Sequence, residues 1–364
     1  MVFESLISWY RRYFSHPQAV LLVMLLAVSV LVLVVFGGML APVLAAVVIA
    51  YLLEGSVQTL ERLGIRRLLA VTVVFFVFLA LLSFFVVGAL PILYKQLYTF
   101  VQDLPRMINE GRVLLLQLPE RYPQFVSTQQ IDEVTRVIRA GISDLGQNAL
   151  SISLYSITTL ITWIVYLILG PVLVFFFLKD KRRILDWFRQ FLPRDSEVLY
   201  RVWRDMDRQI GNYVRGKAYE IFIVGGVTYA TFTLKGLNYA PLLGVLVGLS
   251  VIVPYIGATV VTLPVMLAAY LQFGWGGEFA FIVGAYLIIQ LLDGNFLVPV
   301  LFSEAVNLHP VAIIVAVLVF GGLWGFWGVF FAIPLATLVN SLLRAWPRAA
   351  DPGETGHDAA AATA

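Results

Sequence analysis

Between Gln290 and Pro310 the chain gathers Asp293, Asn295, Glu304, Asn307 and His309 amid segments apolar enough to lie in hydrocarbon. A polar group in lipid without a partner costs several kcal/mol. Polar side chains kept at such a place read as a functional site, suited to a small polar solute or a proton. Asp293 and Glu304 could hold a proton or a cation in a water-lined cavity. They could equally be satisfied carboxylates at helix ends, the simpler reading for Glu304, which could lie in a loop. Gln290 and Asn295 could hydrogen-bond a polyol or bridge two helices. His309 directly precedes Pro310, a good first helical residue, where it could titrate or simply cap. Pro299 removes a backbone donor and Gly294 lets a helix open, so an unwound stretch beside Asp293 is expected to expose carbonyls to a cavity. Pro254 to Gly257 marks a second break.

Other chemistry is thinly represented. The chain has no cysteine, and its three histidines, His16, His309 and His357, lack metal-ligand spacing. Neither a disulfide nor a metal site is expected. Gly211-Asn-Tyr-Val-Arg-Gly-Lys217-Ala218 nearly matches a phosphate-binding loop. Ala218 stands where a Mg²⁺-binding hydroxyl is needed, and an amphipathic helix, not a strand, precedes it. It reads instead as a basic membrane-interface segment. No cofactor is expected, and no nucleophile–base pair suggests an enzyme.

The elements that must position these residues are set by hydropathy. The chain is 60% hydrophobic and 13% charged, with mean hydropathy +0.89. Soluble domains carry about 45–50% apolar and about 25% charged residues. The class is an all-α polytopic membrane protein, with about eight membrane helices, at least one re-entrant hairpin and amphipathic helices outside the bilayer. A net charge of +3 is too mild to argue for nucleic acid.

Residues 1–91 should hold three transmembrane helices. Arg11 and Arg12 precede an apolar run without a small-residue cleavage site, so no cleavable leader is expected. Pro17 to Leu53 is uncharged but broken at Gly37, Gly38 and Pro42, which suggests a tight hairpin. Leu68 to Leu90 is the third span, ended by Pro91. Residues 92–150 change to an amphipathic pattern, with Leu93, Leu97, Phe100, Val101, Leu104 and Ile108 at helical spacing. Ser127 to Gln130 fits a capping box before a second amphipathic helix carrying Ile131, Val134, Ile138, Ile142 and Leu145. Residues 151–178 hold the fourth span. Residues 179–217 are basic and helical. Residues 218–346 form a transmembrane and re-entrant core that begins with a fifth span, Ala218 to Leu234. Within it, 310–320 is too short to cross. Gly244 and Gly248, and Gly321 and Gly325, have the spacing of close helix packing. The tail 347–364 should be disordered.

Charge assigns sides. Residues 179–217 carry most of the unbalanced positive charge, whereas 92–150 are neutral. The positive-inside rule places the N-terminus, 54–67, 179–217 and the C-terminus in the cytoplasm, and 92–150 outside, in the periplasm.

The run Gln290–Pro310, the segment Gly321-Gly-Leu-Trp-Gly-Phe-Trp-Gly328 and Pro334 resemble the C-terminal signature of the autoinducer-2 exporter family. Val253-Pro-Tyr-Ile-Gly-Ala258 and Phe176-Phe-Leu-Lys-Asp-Lys-Arg182 resemble the same family, so the likeness spans most of the chain. It implies a bacterial inner-membrane permease exporting a small polar solute of the autoinducer-2 type from a homo-oligomer, expected to be a pentamer. The family pattern often has Glu where Asp293 stands, so Asp keeps the charge with a shorter reach. Sodium/proton antiport, ascribed to relatives, and a non-transporting scaffold working through 92–150 and 179–217 are the alternatives. Membrane lipid is a partner in every case.

Overall fold

The computed structural model describes residues 17–116, 127–129, 131–133, 135–136, 156–190, 197–302 and 308–345. Every regular element among them is a helix. Four are long and apolar enough to cross a membrane: Val35–Arg62, Arg67–Arg106, Ile256–Phe273 and Gly277–Phe302. Ile164–Lys179, Ala240–Ser250 and Pro310–Trp324 are shorter apolar helices. This is an all-α polytopic membrane architecture. The N-terminal lead, Val134, Ile138, Ile142, Leu145, Glu304, Asn307 and the tail 347–364 lie outside the described residues.

Helix α1 is Pro17–Arg62, 46 residues. The tight hairpin expected over 17–53 is not formed. Gly37, Gly38 and Pro42 lie inside one helix, and neither glycine meets a neighbour that a turn would serve. Glycine costs about 1 kcal/mol and proline about 3 kcal/mol in a helix interior. In hydrocarbon an open turn would orphan several backbone groups at comparable cost each, so continuing the helix wins.

Pro91 does not end its helix either. Helix α2 (Arg67–Phe84) runs through a π turn, Phe85–Ala89, into α3 (Leu90–Leu115). Leu90 N–H bonds the Phe85 carbonyl, five residues back. A proline ring collides with the carbonyl four residues before it, and a widened turn moves that carbonyl aside. The same arrangement recurs between α9 (Gly277–Leu292) and α10 (Val298–Phe302). There the π turn Asp293–Leu297 ends two residues before Pro299, and Val298 N–H bonds the Asp293 carbonyl. The unwound stretch expected beside Asp293 is thus a bulge in a continuous helix.

Between these come α4 (Ser156–Lys179), α5 (Lys181–Arg189), α6 (Glu197–Leu234), α7 (Ala240–Ser250) and α8 (Ile256–Phe273). Helix α6 joins the basic segment to the expected fifth span without interruption, so the near-match to a phosphate loop is helix interior. Helix α7, eleven residues, reaches only about 16 Å, half a bilayer.

The chain forms two compact units. One comprises Pro42–Lys181 and Val214–Ser303. Its core joins Phe232, Leu243, Val247, Val265, Ile282 and Tyr286, all fully buried, with Phe100 and Leu104 of α3 against it. The amphipathic continuation of α3 is therefore real. Gln96 Oε1 accepts from Leu242 N–H at 3.0 Å, and the Tyr239 hydroxyl donates to Asp103. Burial and that acceptor push the Tyr239 phenol up to about 12, so it stays a donor. Gly244 and Gly248 let α7 lie directly on α6: a methyl on Gly248 would come 2.7 Å from the Ile221 carbonyl. Buried Glu54 binds Arg67 at 3.3 Å and Lys181 at 3.5 Å, and Arg67 donates to the Leu178 carbonyl at 2.7 Å. That network ties the ends of α1, α2 and α4.

The other unit comprises residues up to Ala41, Arg182–Tyr213 and those from Glu304 onward. Helix α11 (Pro310–Trp324) packs against α12 (Phe326–Phe330) and α13 (Ala332–Ala345) as a tight hairpin. It runs to Trp324, beyond the end expected at Gly321, and stops at Gly325, whose φ is 57°. At about 22 Å it still falls short of a ~30 Å bilayer core. Tyr213 donates to the Phe330 carbonyl at 2.9 Å.

Candidate functional site

The site grows from one cation. Lys217 lies in the middle of α6, with its side chain 5% exposed. Its Nζ sits 2.6 Å from a carboxylate oxygen of Glu220, one turn on, whose side chain is 2% exposed. The same ammonium donates to the Val251 carbonyl at 2.9 Å and lies 5.2 Å from the centroid of the Phe302 ring. A buried charge persists only when it is paired and hydrogen-bonded. Here three different elements supply those partners.

Each partner has a local reason to be there. Val251 opens the turn between α7 and α8. Gly257 closes it, and a Cβ there would overlap the Ser250 carbonyl. Pro254 sits within the turn, and its carbonyl accepts from Ile256 N–H at 2.7 Å. Tyr255 follows at φ 63°, a conformation bulky residues rarely adopt, with its side chain exposed. Gly216 carries no side chain, and the Phe302 ring fills that space. Of the expected site residues, Pro254 and Gly257 thus shape the turn that presents a carbonyl to Lys217.

Asp293 is half-buried at the start of the π turn, close enough that its charge acts on both Lys217 and Glu220. Its Oδ1 is buried without a hydrogen-bond partner, and so is Gln290 Nε2, three residues earlier on the same face. The pair offers one acceptor and one donor side by side. Tyr286, one further turn back, donates to the Ala258 carbonyl at 2.8 Å. A polar stripe therefore runs along α9 and into its π turn.

Asn295 and Pro299 take no part in this cluster. Asn295 is exposed, and its amide donates to the Leu291 carbonyl at 2.9 Å, within its own helix. Pro299 is exposed one turn beyond and acts through the helix geometry described above. His309 caps α11 by accepting from Val311 N–H at Nδ1 (3.3 Å), with Pro310 as first helical residue. Both belong to the other compact unit. Glu304 lies outside the described residues. Lys217 and Glu220 were not among the expected residues. Their opposite charges at a three-residue spacing, at the threshold of an apolar run, were the available signal. Among the described residues there is no group of three or more His, Cys, Asp or Glu that could hold a metal ion.

Comparison with known proteins gives one consistent result. Residues 19–348 match the model of the family described as "AI-2E family transporter". The chain is 48% identical over 344 residues to the "Putative permease PerM" of Escherichia coli strain K12, covering 94% of this chain and 98% of that one. It is 26% identical over 308 residues to the "Putative transport protein YueF" of Bacillus subtilis strain 168, covering 82% of each. It is 24% identical over 302 residues to the "AI-2 transport protein TqsA" of Escherichia coli strain K12, covering 83% of this chain and 84% of that one.

Proposed function

This chain belongs to the AI-2E transporter family, and from that premise we propose that it is a secondary exporter of a small polar solute of the autoinducer-2 type. The observation that carries the reading is the buried Lys217–Glu220 pair of α6 with Asp293 beside it, inside the membrane-length helix Gly277–Phe302. A charge inside a membrane-spanning helix, such as Asp293, costs up to about 2.5–3.5 kcal/mol at the bilayer centre even by the mildest scales. Such residues are kept where something polar passes. In this proposal Gln290 Nε2 and Asp293 Oδ1 orient the solute, and Asp293 exchanges a proton during the cycle. The name of one relative, a transport protein for AI-2, supports the substrate class.

The proposed setting is a bacterial inner membrane, with 54–67, 179–217 and the C-terminus cytoplasmic, in a homo-oligomer that family resemblance makes a pentamer. The test is reconstitution into liposomes with labelled hydrophilic solutes and a pH-sensitive dye. Solute flux that depends on a proton gradient is the expected result. A second reading, sodium/proton exchange, is favoured by two carboxylates sharing one cation. It predicts sodium-driven proton flux with no solute. Neither flux, in folded protein, would leave a non-transporting scaffold.

A further inference from the structure

We propose that the Lys217 ammonium occupies a monovalent-cation site as a tethered substitute for a free ion. Its surroundings are those an alkali cation takes: a carboxylate oxygen of Glu220 at 2.6 Å, the Val251 carbonyl at 2.9 Å and the face of Phe302. Hard oxygen donors and a ring face bind alkali ions and ammonium alike. Three further features make this a built site. Glu220 is itself 2% exposed, so no water cage competes for it. The carbonyl comes from a turn so tight at Gly257 that a Cβ there would overlap the Ser250 carbonyl. The buried, unpartnered Asp293 Oδ1 lies within electrostatic reach, an oxygen the ammonium leaves unused.

The consequence is a specificity. While Lys217 is in place, its ammonium excludes sodium and potassium from this site. This site then takes neither ion from solution, whatever cycle the chain performs. Removing the side chain leaves a space of cation size beside an uncompensated Glu220, and a free ion should enter. The inference bears on the coupling ion of the transport proposed above, but it concerns binding and stands without that transport.

The experiment compares purified full-length wild type, Lys217→Ala, Lys217→Met and Lys217→Ala/Glu220→Gln. Melting temperature is followed in detergent as sodium or potassium chloride replaces choline chloride at constant ionic strength. Wild type should be indifferent to the replacement. Lys217→Ala should gain a saturable rise, roughly 5–10 °C at a hundredfold excess over Kd. Lys217→Met, which refills the space with an apolar chain, and the double variant should gain none. If Lys217→Ala aggregates in choline and in alkali salt alike, Lys217→Ser carries the test, its hydroxyl adding one oxygen. A rise in wild type equal to that of Lys217→Ala overturns the proposal, as does a folded Lys217→Ala that ignores both ions. Aggregation of both small variants in saturating alkali salt overturns it too, because an ion able to replace the ammonium restores the missing charge.

Discussion

Replacing the two members of the buried pair separately and together measures how the site is held. Lys217→Met removes the cation that pairs with Glu220 and acts on Asp293, and takes the donor from the Val251 carbonyl. Breaking a buried pair costs about 3–5 kcal/mol. The orphaned carbonyl adds about 1–3 kcal/mol, and protonation of a carboxylate returns part of it. Glu220→Met is milder. Its ammonium keeps the Val251 carbonyl and the Phe302 ring, and Asp293 remains as counter-charge, so the loss should stay near about 3 kcal/mol. The double variant exchanges the pair for apolar chains of similar size, which is often neutral or stabilising, leaving about 1 kcal/mol for the carbonyl. At about 2–4 °C per kcal/mol, melting temperatures should fall by roughly 10–20 °C for Lys217→Met and roughly 6–12 °C for Glu220→Met, but by only a few degrees for the double variant. Thermal unfolding in detergent reads all three. Losses that simply add in the double variant, or a Glu220→Met worse than Lys217→Met, would refute the reasoning.

Two further outcomes follow from the same geometry. Single cysteines are clean probes here because the chain has none. Cysteines at Gln129 and Arg204 should react with impermeant reagent from opposite sides, and so should cysteines at Met24 and Arg62 if α1 crosses once; same-side labelling of either pair would overturn that part of the topology. Asp293→Asn keeps size and removes charge, so it should abolish proton-dependent flux in liposomes at unchanged expression. Wild-type flux with unchanged pH dependence would make Asp293 structural.

How much of this was legible in the sequence depends on which physical effect decided each point. Long apolar runs fixed the fold class, because satisfying backbone groups in lipid leaves no other choice. The same constraint defeated the hairpin. Gly37, Gly38 and Pro42 would punctuate a soluble helix, but an interruption in hydrocarbon costs more than it saves. The positive-inside rule put the N-terminus and 54–67 on the same side, which needs an even number of crossings between them, and one continuous helix does not supply it. The glycine spacing at Gly244 and Gly248 was read correctly because it depends only on local contact. Within the candidate site, periodicity could have sorted the residues. At 100° per residue Gln290 and Asp293 share a face, while Asn295 lies nearly opposite Asp293. Lys217 was missed because it was counted with the basic residues of 179–217, as a surface charge. Its burial arises from contacts with Val251 and Phe302, 34 and 85 residues away, which no local pattern reports.

The π turn connects Pro299, which touches nothing in the site, to Lys217. A π turn holds one residue more than an α turn, so residues beyond it are offset by about 100° from an uninterrupted helix. Phe302 lies beyond it, and its ring reaches Gly216 and Lys217 with that offset in place. If the proline imposes the bulge, Pro299→Ala should let the helix close and carry Phe302 away. A methyl on Gly216 reports the change. In the wild-type background it would come 2.8 Å from the Phe302 ring, which is itself 6% exposed and cannot simply swing aside. Overpacking there costs about 1–3 kcal/mol, against a gain of up to about 1 kcal/mol in helix propensity. Gly216→Ala should therefore destabilise the wild type but be neutral or stabilising in Pro299→Ala, measured by thermal unfolding of the four proteins. An equal effect in both backgrounds would show that the bulge persists without the proline and would refute the reasoning.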